Sequence, residues 1–226
     1  MYDWDFSILR PYLPALRHGL LVTVQLSGLA IVLGTVIGFV LGFLLRVRLV
    51  PVRWPLLIAV DVVRSIPVLV LLLIGNYFLP DWVGDPDLSA FTIAAVVLTL
   101  NLSVFVGDVV RGALNHIPIG EIEAARAVGL TEYTITARFV LPRLVRLVLP
   151  TLTLLYIATI KNSALASLIA VTDIAHVANL ISSTRYRTLE AFAAMTALYL
   201  ALILPLTLLS RWLEAGMNGQ AAGVAE

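Results

Sequence analysis

The chain has 226 residues, of which 60% are hydrophobic and 13% are charged, and its formal net charge at pH 7 is +1. An ordinary soluble domain is roughly 45–50% apolar and about 25% charged, so this composition, with a mean hydropathy of +0.99, excludes a soluble domain and indicates a membrane protein. The absence of cysteine excludes disulfide bonds and thiolate metal sites, and no basic cluster has the interleaved aromatic residues that would indicate a nucleic-acid partner.

Long apolar segments determine the predicted architecture. A helix needs about 20 mostly apolar residues to cross a hydrocarbon core about 30 Å thick. Five segments meet this requirement: 20–45, 56–78, 88–110, 147–171 and 191–209. We therefore predict an all-α fold, a polytopic membrane helical bundle of about five transmembrane helices that forms a single transmembrane domain over residues 1–226.

The distribution of arginine predicts the orientation in the membrane. Arginine is concentrated in the first short loop, at Arg46, Arg48 and Arg53, and in the polar segment between the third and fourth spans, whereas the loop 80–87 has three aspartates and no base. Because positively charged loops remain in the cytoplasm, we predict that the N-terminus lies outside and the C-terminus in the cytoplasm. Arginines 185 and 187 would then lie outside, against this trend.

Glycine recurs along one face of the first predicted span. Gly34, Gly38 and Gly42 are four residues apart, and such a stripe of small residues lets helix backbones approach closely. We interpret it as a packing surface, either within the chain or against a partner subunit.

The sequence DVVR occurs twice, at Asp61 to Arg64 and at Asp108 to Arg111. Residues three apart lie on one helix face, and charge inside a membrane is costly enough that we expect each aspartate to pair with its own arginine. The pairs are either local salt bridges near the inner interface or parts of an inner gate between spans, and the sequence leaves both interpretations open.

A polar segment, 117–142, separates the third and fourth spans. Residues 119–128 predict a short helix that ends at Gly129, and Thr131 caps a second predicted helix that runs until Pro142 interrupts it. A short amphipathic helix held outside the bilayer is suited to a groove in a partner protein.

Within this segment, EAA is followed by three residues, a glycine, nine residues and the sequence FVLP. This spacing resembles the EAA loop of binding-protein-dependent ATP-binding-cassette (ABC) importers, with Phe139 in place of the usual isoleucine. The resemblance implies that the loop docks into a cleft of an ABC ATPase subunit. The docking residues that it implies are Glu123, Ala124, Ala125, Arg126 and Gly129.

Four further segments are similar to signatures of the polar amino-acid uptake branch of this family: HGLLVTVQLS, DVVRSIPVLVLL, NLSVFVGDVVRGALNHIP and KNSALASLIAVTDI. The resemblance covers nearly the whole chain and implies a type I ABC importer permease fold in the lipid of the bacterial cytoplasmic (inner) membrane. The implied solute is an amino acid or a similar small polar zwitterion. The implied partners are ATPase subunits, an extracytoplasmic solute-binding protein and a second permease subunit, in a homodimer or a heterodimer.

The chain has no phosphate-binding loop of the form G-x-x-x-x-G-K-[ST], because its only lysine follows YIATI without a nearby glycine. We therefore expect a transport subunit rather than an enzyme, with no cofactor of its own, and we expect ATP and Mg to bind to the partner ATPase subunit. The three histidines, at positions 18, 116 and 176, have no metal-ligand spacing, so no metal site is predicted.

The only lysine, Lys161, lies inside the fourth apolar segment. A rise of about 1.5 Å per residue puts it on the order of 20 Å from the cytoplasmic end, where a charge is tolerated only if it faces a bundle interior or a wet cavity. We predict that Lys161, Asn162, Ser163 and Asn101 line the translocation cavity. The alternative is that Lys161 is a structural ion-pair or carbonyl partner. Relatives usually have aspartate after this lysine, so Asn162 disfavours a strongly cationic solute.

Two other classes of function are compatible with a polytopic chain. An intramembrane hydrolase needs a nucleophile and a base at one depth, yet no histidine lies at the depth of Ser103 or Ser163, and no G-x-S-x-G turn is present. An ion-coupled secondary transporter of a small polar solute predicts inverted repeats and buried carboxylates, of which the two DVVR sequences are a faint indication. Dependence of uptake on ATP separates this alternative from the importer.

Overall fold

The fold is described from a computed structural model that covers residues 2–47 and 50–222. Within these ranges the chain forms helices and no strand. Arg48, which contributed to the orientation prediction, lies outside the described residues. A 3-10 turn at Phe6–Tyr12 precedes the helices α1 (Leu13–Leu44), α2 (Val50–Ser65), α3 (Val68–Val83), α4 (Ala90–Asn115), α5 (Ile119–Ala127), α6 (Glu132–Ile135), α7 (Leu141–Ser163), α8 (Ile174–Arg185) and α9 (Thr188–Ala222).

Four helical stretches of the described chain are long and apolar enough to cross a membrane, and the bent pair α2–α3 adds a fifth if it counts as one span. The predicted all-α bundle of about five membrane helices is therefore confirmed. The four stretches, which overlap four of the predicted segments, are Phe6–Leu44, Ala90–Asn115, Glu132–Ile169 and Thr188–Trp212.

The glycine stripe of α1 packs against α4 within the chain. A Cβ atom added to Gly38 would lie 2.5 Å from the Cβ of Val106, and one added to Gly42 would lie 2.5 Å from a methyl group of Val110. These distances are far below van der Waals contact, so only glycine permits this separation of the two helices. The stripe therefore serves internal packing, which is one of the two interpretations that the sequence leaves open.

The second predicted span, 56–78, is wrong as a single helix. The chain breaks after Ser65, and the axes of α2 and α3 are bent by 107°. Pro67 causes this break, because a proline disfavours helical geometry in the residue before it and cannot continue the helical hydrogen bonds; its own ψ of 140° is extended, and α3 begins directly after it. The bend points the end of α2 toward α4 and α7.

The polar segment forms the predicted helix, glycine and helix. Helix α5 ends at Ala127, Gly129 has a left-handed φ of +82°, and the Thr131 side chain accepts the N–H of Thr134 at the start of α6. The predicted interruption at Pro142 is wrong, because a π-helical turn at Thr136–Val140 joins α6 to α7. In this turn the Leu141 amide bonds to the carbonyl five residues back, and Pro142 then occupies the first turn of α7, where no donor is needed.

Candidate functional site

The bend between α2 and α3 encloses a cleft of about 320 Å³ against α4 and α7. The end of α2 and the Pro67 turn form one wall, α4 forms the second and the upper part of α7 forms the third. The cleft is lined by Arg64, Ile66, Pro67, Val68, Asn101, Leu102, Phe105, Leu155, Ala158, Thr159 and Asn162. It therefore combines an apolar surface with a few polar groups that converge from three helices, which is typical of a site for a small molecule.

Two predicted cavity residues meet in this cleft. Asn101 reaches it from the middle of α4 with 8% of its surface exposed, and Asn162 reaches it from the last turn of α7. Each side-chain amide can both donate and accept hydrogen bonds. The two residues are 61 positions apart in sequence (162 − 101), so their proximity is a consequence of the packing of α4 against α7.

Lys161 and Ser163 do not line this cleft. Lys161 is exposed and is not among the cleft-lining residues, and Ser163 is fully buried, with its Oγ donating to the Ile160 carbonyl at 2.8 Å. The reason is geometric, because successive side chains on an α-helix are about 100° apart and three consecutive residues cannot face one cleft. Of the four predicted residues, only Asn101 and Asn162 therefore line the cleft within this chain, and a translocation cavity lined by all four stays a prediction.

The predicted pairing of each DVVR aspartate with its own arginine is half right. Arg111 Nη2 lies 2.5 Å from Asp108 Oδ1 within α4, as predicted. Arg64, however, does not pair with Asp61. Its side chain extends from α2 to α4, where its Nη1 lies 2.8 Å from Asp108 Oδ2. The side chain of Asp61 is exposed and has no salt bridge within the described residues. The two repeats therefore differ, because the Arg64 side chain lies close to Asp108 of α4.

Arg64, which the sequence analysis assigned only to an ion pair or an inner gate, also lines this cleft. Its guanidinium lies 5.7 Å from the centre of the Phe105 ring and lines the cleft while it binds Asp108. With Arg64 and Arg111 on one carboxylate, the three groups have a formal net charge of +1 at the cleft wall. The sequence contains the relevant signal, which is a proline three residues after the arginine.

A second candidate site is the exposed helix α5 with the glycine turn that follows it. Helix α5 has no buried residue, and Glu123, Ala124, Arg126 and Gly129 are all exposed, whereas Ala125 packs partly against the core below it. Large apolar side chains that the sequence analysis did not select flank these positions. They are Ile119, Val128 and Tyr133, which are 63%, 76% and 82% exposed.

Two salt bridges join α5 to the chain that follows it. Arg126 binds Glu132 with two hydrogen bonds, Nε to Oε1 at 2.5 Å and Nη2 to Oε2 at 3.1 Å. Arg143 Nη1 binds Glu121 Oε2 at 2.6 Å. Arg126 is therefore engaged within the chain, and the exposed face of α5 presents Glu123, the alanines and the flanking apolar side chains.

The chain is similar to known membrane transport proteins over nearly its whole length. Residues 30–219 match the family described as "Binding-protein-dependent transport system inner membrane component". The chain is 31% identical over 198 residues to the octopine transport system permease protein OccM of Rhizobium radiobacter, covering 83% of this chain and 80% of OccM. It is 26% identical over 203 residues to the probable glutamine ABC transporter permease protein GlnM of Bacillus subtilis, covering 90% and 91% of the two chains.

Two solved structures show the same fold. A crystal structure of an amino acid ABC transporter with histidines contains a chain that is 27% identical, with a TM-score of 0.83 over 95% of this chain and 99% of that one. An inward-facing structure of the MetNI methionine ABC transporter matches with a TM-score of 0.76 at 24% identity, over 91% and 97% of the two chains.

Proposed function

Because the chain belongs to the family of binding-protein-dependent transport system inner membrane components, we propose that its cleft binds an amino acid or a similar small zwitterion on the way into the cytoplasm. The chain is a membrane-spanning permease subunit of an ABC importer. The observation that carries the proposal is the convergence of Arg64, Asn101 and Asn162 on one small cleft between membrane helices.

The chemistry of this cleft matches the two ends of a zwitterion. Arg64 presents N–H donors that suit a carboxylate, and the amide oxygens of Asn101 and Asn162 can accept hydrogen bonds from an ammonium group. None of the described residues that line the cleft is a carboxylate, and Asp108 beside it is shared between two arginines. This supports a neutral or anionic solute more than a strongly cationic one.

Lys161 is exposed on α7, which supports a role at the surface of this chain rather than in the cleft that Asn101 and Asn162 line. A lysine at membrane depth is tolerated where it faces protein or a wet cavity rather than lipid. Lys161 therefore faces the second permease subunit, or the cavity between the two subunits, in the proposed assembly. Ser163 ends α7 and stays inside the chain.

The ion pairs beside the cleft are the proposed inner gate. Arg64 connects the end of α2 to Asp108 of α4, and Arg111 holds Asp108 in position. Movement of α2 away from α4 would break the Arg64–Asp108 contact and open the cytoplasmic end of the cleft. Asp61 is not part of this gate.

Energy for import comes from a partner in this proposal. ATP and Mg bind to an ATPase subunit, which receives α5 with Glu123, Ala124, Ala125 and the Gly129 turn, and the exposed Ile119, Val128 and Tyr133 supply the apolar contacts. Closure of two ATPase subunits displaces the docked α5 helices, so that the cleft is accessible first from outside and then from the cytoplasm.

In the same proposal, the chain lies in the bacterial cytoplasmic membrane with its N-terminus outside, where a solute-binding protein delivers the solute.

The cleft is tested by replacing Asn101 with leucine and measuring uptake of labelled amino acids into proteoliposomes that contain the complete transporter. We expect Asn101→Leu to lower uptake by about tenfold or more, because the solute loses a buried hydrogen-bond partner and meets an apolar group instead. Asn76→Leu, a matched change in α3 outside the cleft lining, should retain uptake. Equal uptake by both variants in intact complexes would place solute binding elsewhere.

A further inference from the structure

Helix α5 is attached at both of its ends to the helical stretch Glu132–Ile169, which contains α6 and α7. Glu121 lies in its first turn and binds Arg143 in the first turn of α7, and Arg126 lies in its last turn and binds Glu132 at the start of α6. Glu121 and Arg126 lie about 7.5 Å apart along α5, at a rise of about 1.5 Å per residue, so the two attachments fix the direction of the helix as well as its position.

An apolar contact lies between the two attachments. Ile122 and Ala125 pack against a buried cluster that contains Ile135 of α6 and Leu144 of α7, so one apolar face of α5 contacts this cluster and an ion pair lies at each end of the helix. This arrangement prevents α5 from rolling on its apolar face, which apolar contacts alone do not prevent because they are non-directional.

The ion pairs contribute little to the stability of the fold. All four side chains are between 45% and 68% exposed, and exposed ion pairs contribute little because water and salt screen them. Their geometry is nevertheless specific, since Arg126 grips both oxygens of Glu132. Such a pair is better suited to positioning a helix than to stabilising it.

The base of α7 is connected directly to the cleft. The stretch Glu132–Ile169 is long enough to span the membrane, and its upper part carries Thr159 and Asn162 to the cleft wall. A tilt imposed on the lower end of this stretch therefore moves the cleft wall at the upper end.

We propose that the salt bridges Glu121–Arg143 and Arg126–Glu132 form a clamp that converts displacement of α5 into tilt of α7 and so into opening and closing of the cleft. The clamp rests on the proposed function, because it presupposes an ATPase subunit that moves α5. Glu121, Glu132 and Arg143 act as positioning residues and touch neither the solute nor ATP.

Charge reversal tests the clamp in the complete transporter, reconstituted in proteoliposomes with its ATPase, binding protein and second permease subunit. The variants are Glu121→Arg, Arg143→Glu and the double variant that exchanges the two charges. Both ATP hydrolysis and solute uptake are measured, and their ratio is the coupling efficiency. Arg146→Glu is the matched control, since Arg146 lies one turn further along α7 and has no salt bridge within the described residues.

We expect each single reversal to lower the solute transported per ATP hydrolysed by about fivefold, while the ATPase subunit remains bound. The double variant should restore the ratio, because the attraction is re-formed with opposite sign. The control should behave like the wild type. Glu132→Gln should lower the ratio in the same direction, since a neutral amide holds Arg126 more weakly.

The clamp is overturned if the single reversals keep the wild-type ratio or if the double variant fails to recover it. Failure of the proposed function is recognised separately in the wild-type complex, either because the ATPase subunit does not copurify with the chain or because uptake does not require ATP.

Discussion

Arg64 binds Asp108 and also lines the cleft. We expect Arg64→Met to lower uptake by about tenfold or more, because the solute carboxylate loses a charged hydrogen-bond donor. Asp61→Asn should leave uptake unchanged, since Asp61 is exposed and has no salt bridge within the described chain. The measurement is the initial uptake rate in proteoliposomes with equal amounts of assembled transporter. The pairing described for Arg64 is refuted if Asp61→Asn is as damaging as Arg64→Met.

Asp173 predicts a pH dependence of stability. In the sequence it lies between the membrane-spanning stretches Glu132–Ile169 and Thr188–Trp212, and its side chain is fully buried at the start of α8. Its Oδ1 accepts a hydrogen bond from the His176 backbone N–H at 2.8 Å, and its Oδ2 has no hydrogen-bond partner within the described residues. Burial raises the pKa of Asp173 from 3.8 to about 6. The folded protein thus binds this proton more tightly than the unfolded chain, and the resulting stabilisation is complete below about pH 4 and is lost as the pH rises through about 6.

Asp173→Asn removes this ionisation and keeps an oxygen that can cap α8. The wild type should therefore lose stability relative to the variant between about pH 4 and about pH 6, by at most about 3 kcal/mol for this shift in pKa. The measurement is the thermal unfolding midpoint of both purified proteins across this range. A constant difference between the two midpoints would mean that Asp173 does not titrate there.

At the scale of single residues, the sequence predicts which polar residues lie at membrane depth better than it predicts which residues they contact. Polar groups at membrane depth need a wet or paired environment, which predicts that Asn101 and Asn162 line a cavity, and both line the cleft. The same reasoning applies to Lys161 and Ser163, but the rotation between successive helical residues directs their side chains away from this cleft. The partner of Arg64 was missed because it depends on a bend between helices, which side-chain spacing within one helix does not report.

The packing of α1 against α4 gives a prediction at the scale of elements. Gly38→Ala should destabilise the protein by about 1–3 kcal/mol, because the added methyl group would overlap with Val106 and the Ser103 carbonyl. Gly28→Ala, in the same helix but with nothing within 4 Å of the new Cβ, should be neutral or slightly stabilising. Thermal unfolding in detergent compares the two variants, and equal midpoints would contradict the close approach of α1 and α4.

Local signals for helix ends proved reliable where the chain is polar. Gly129 and Thr131 specify the end of α5 and the start of α6 through a left-handed backbone and a side-chain cap, and both effects are encoded by single residues. Pro142 misled the prediction, because the effect of a proline depends on the turn before it. The π-helical turn at Thr136–Val140 lets the helix continue past that proline.

At the scale of the whole molecule, hydropathy predicted how many apolar stretches exist but not how they are directed. The segment 56–78 is long enough to span, yet Pro67 divides it into two helices bent by 107°. A window of mean hydropathy contains no information about direction, so the cleft formed by this bend could not be predicted from it. The EAA spacing, in contrast, predicts the family from a local sequence pattern that does not depend on the direction of the helices, and the family match over residues 30–219 confirms it.

The most direct test of the central claim is the ATP dependence of uptake with and without Glu123→Lys in the complete transporter. Reversing the charge of Glu123, which is exposed on α5, should release the ATPase subunit and abolish uptake of the amino acid that the wild type transports. Wild-type uptake should likewise vanish when ATP is replaced by a non-hydrolysable analogue. Uptake that persists without ATP and is indifferent to Glu123→Lys would contradict import driven through α5.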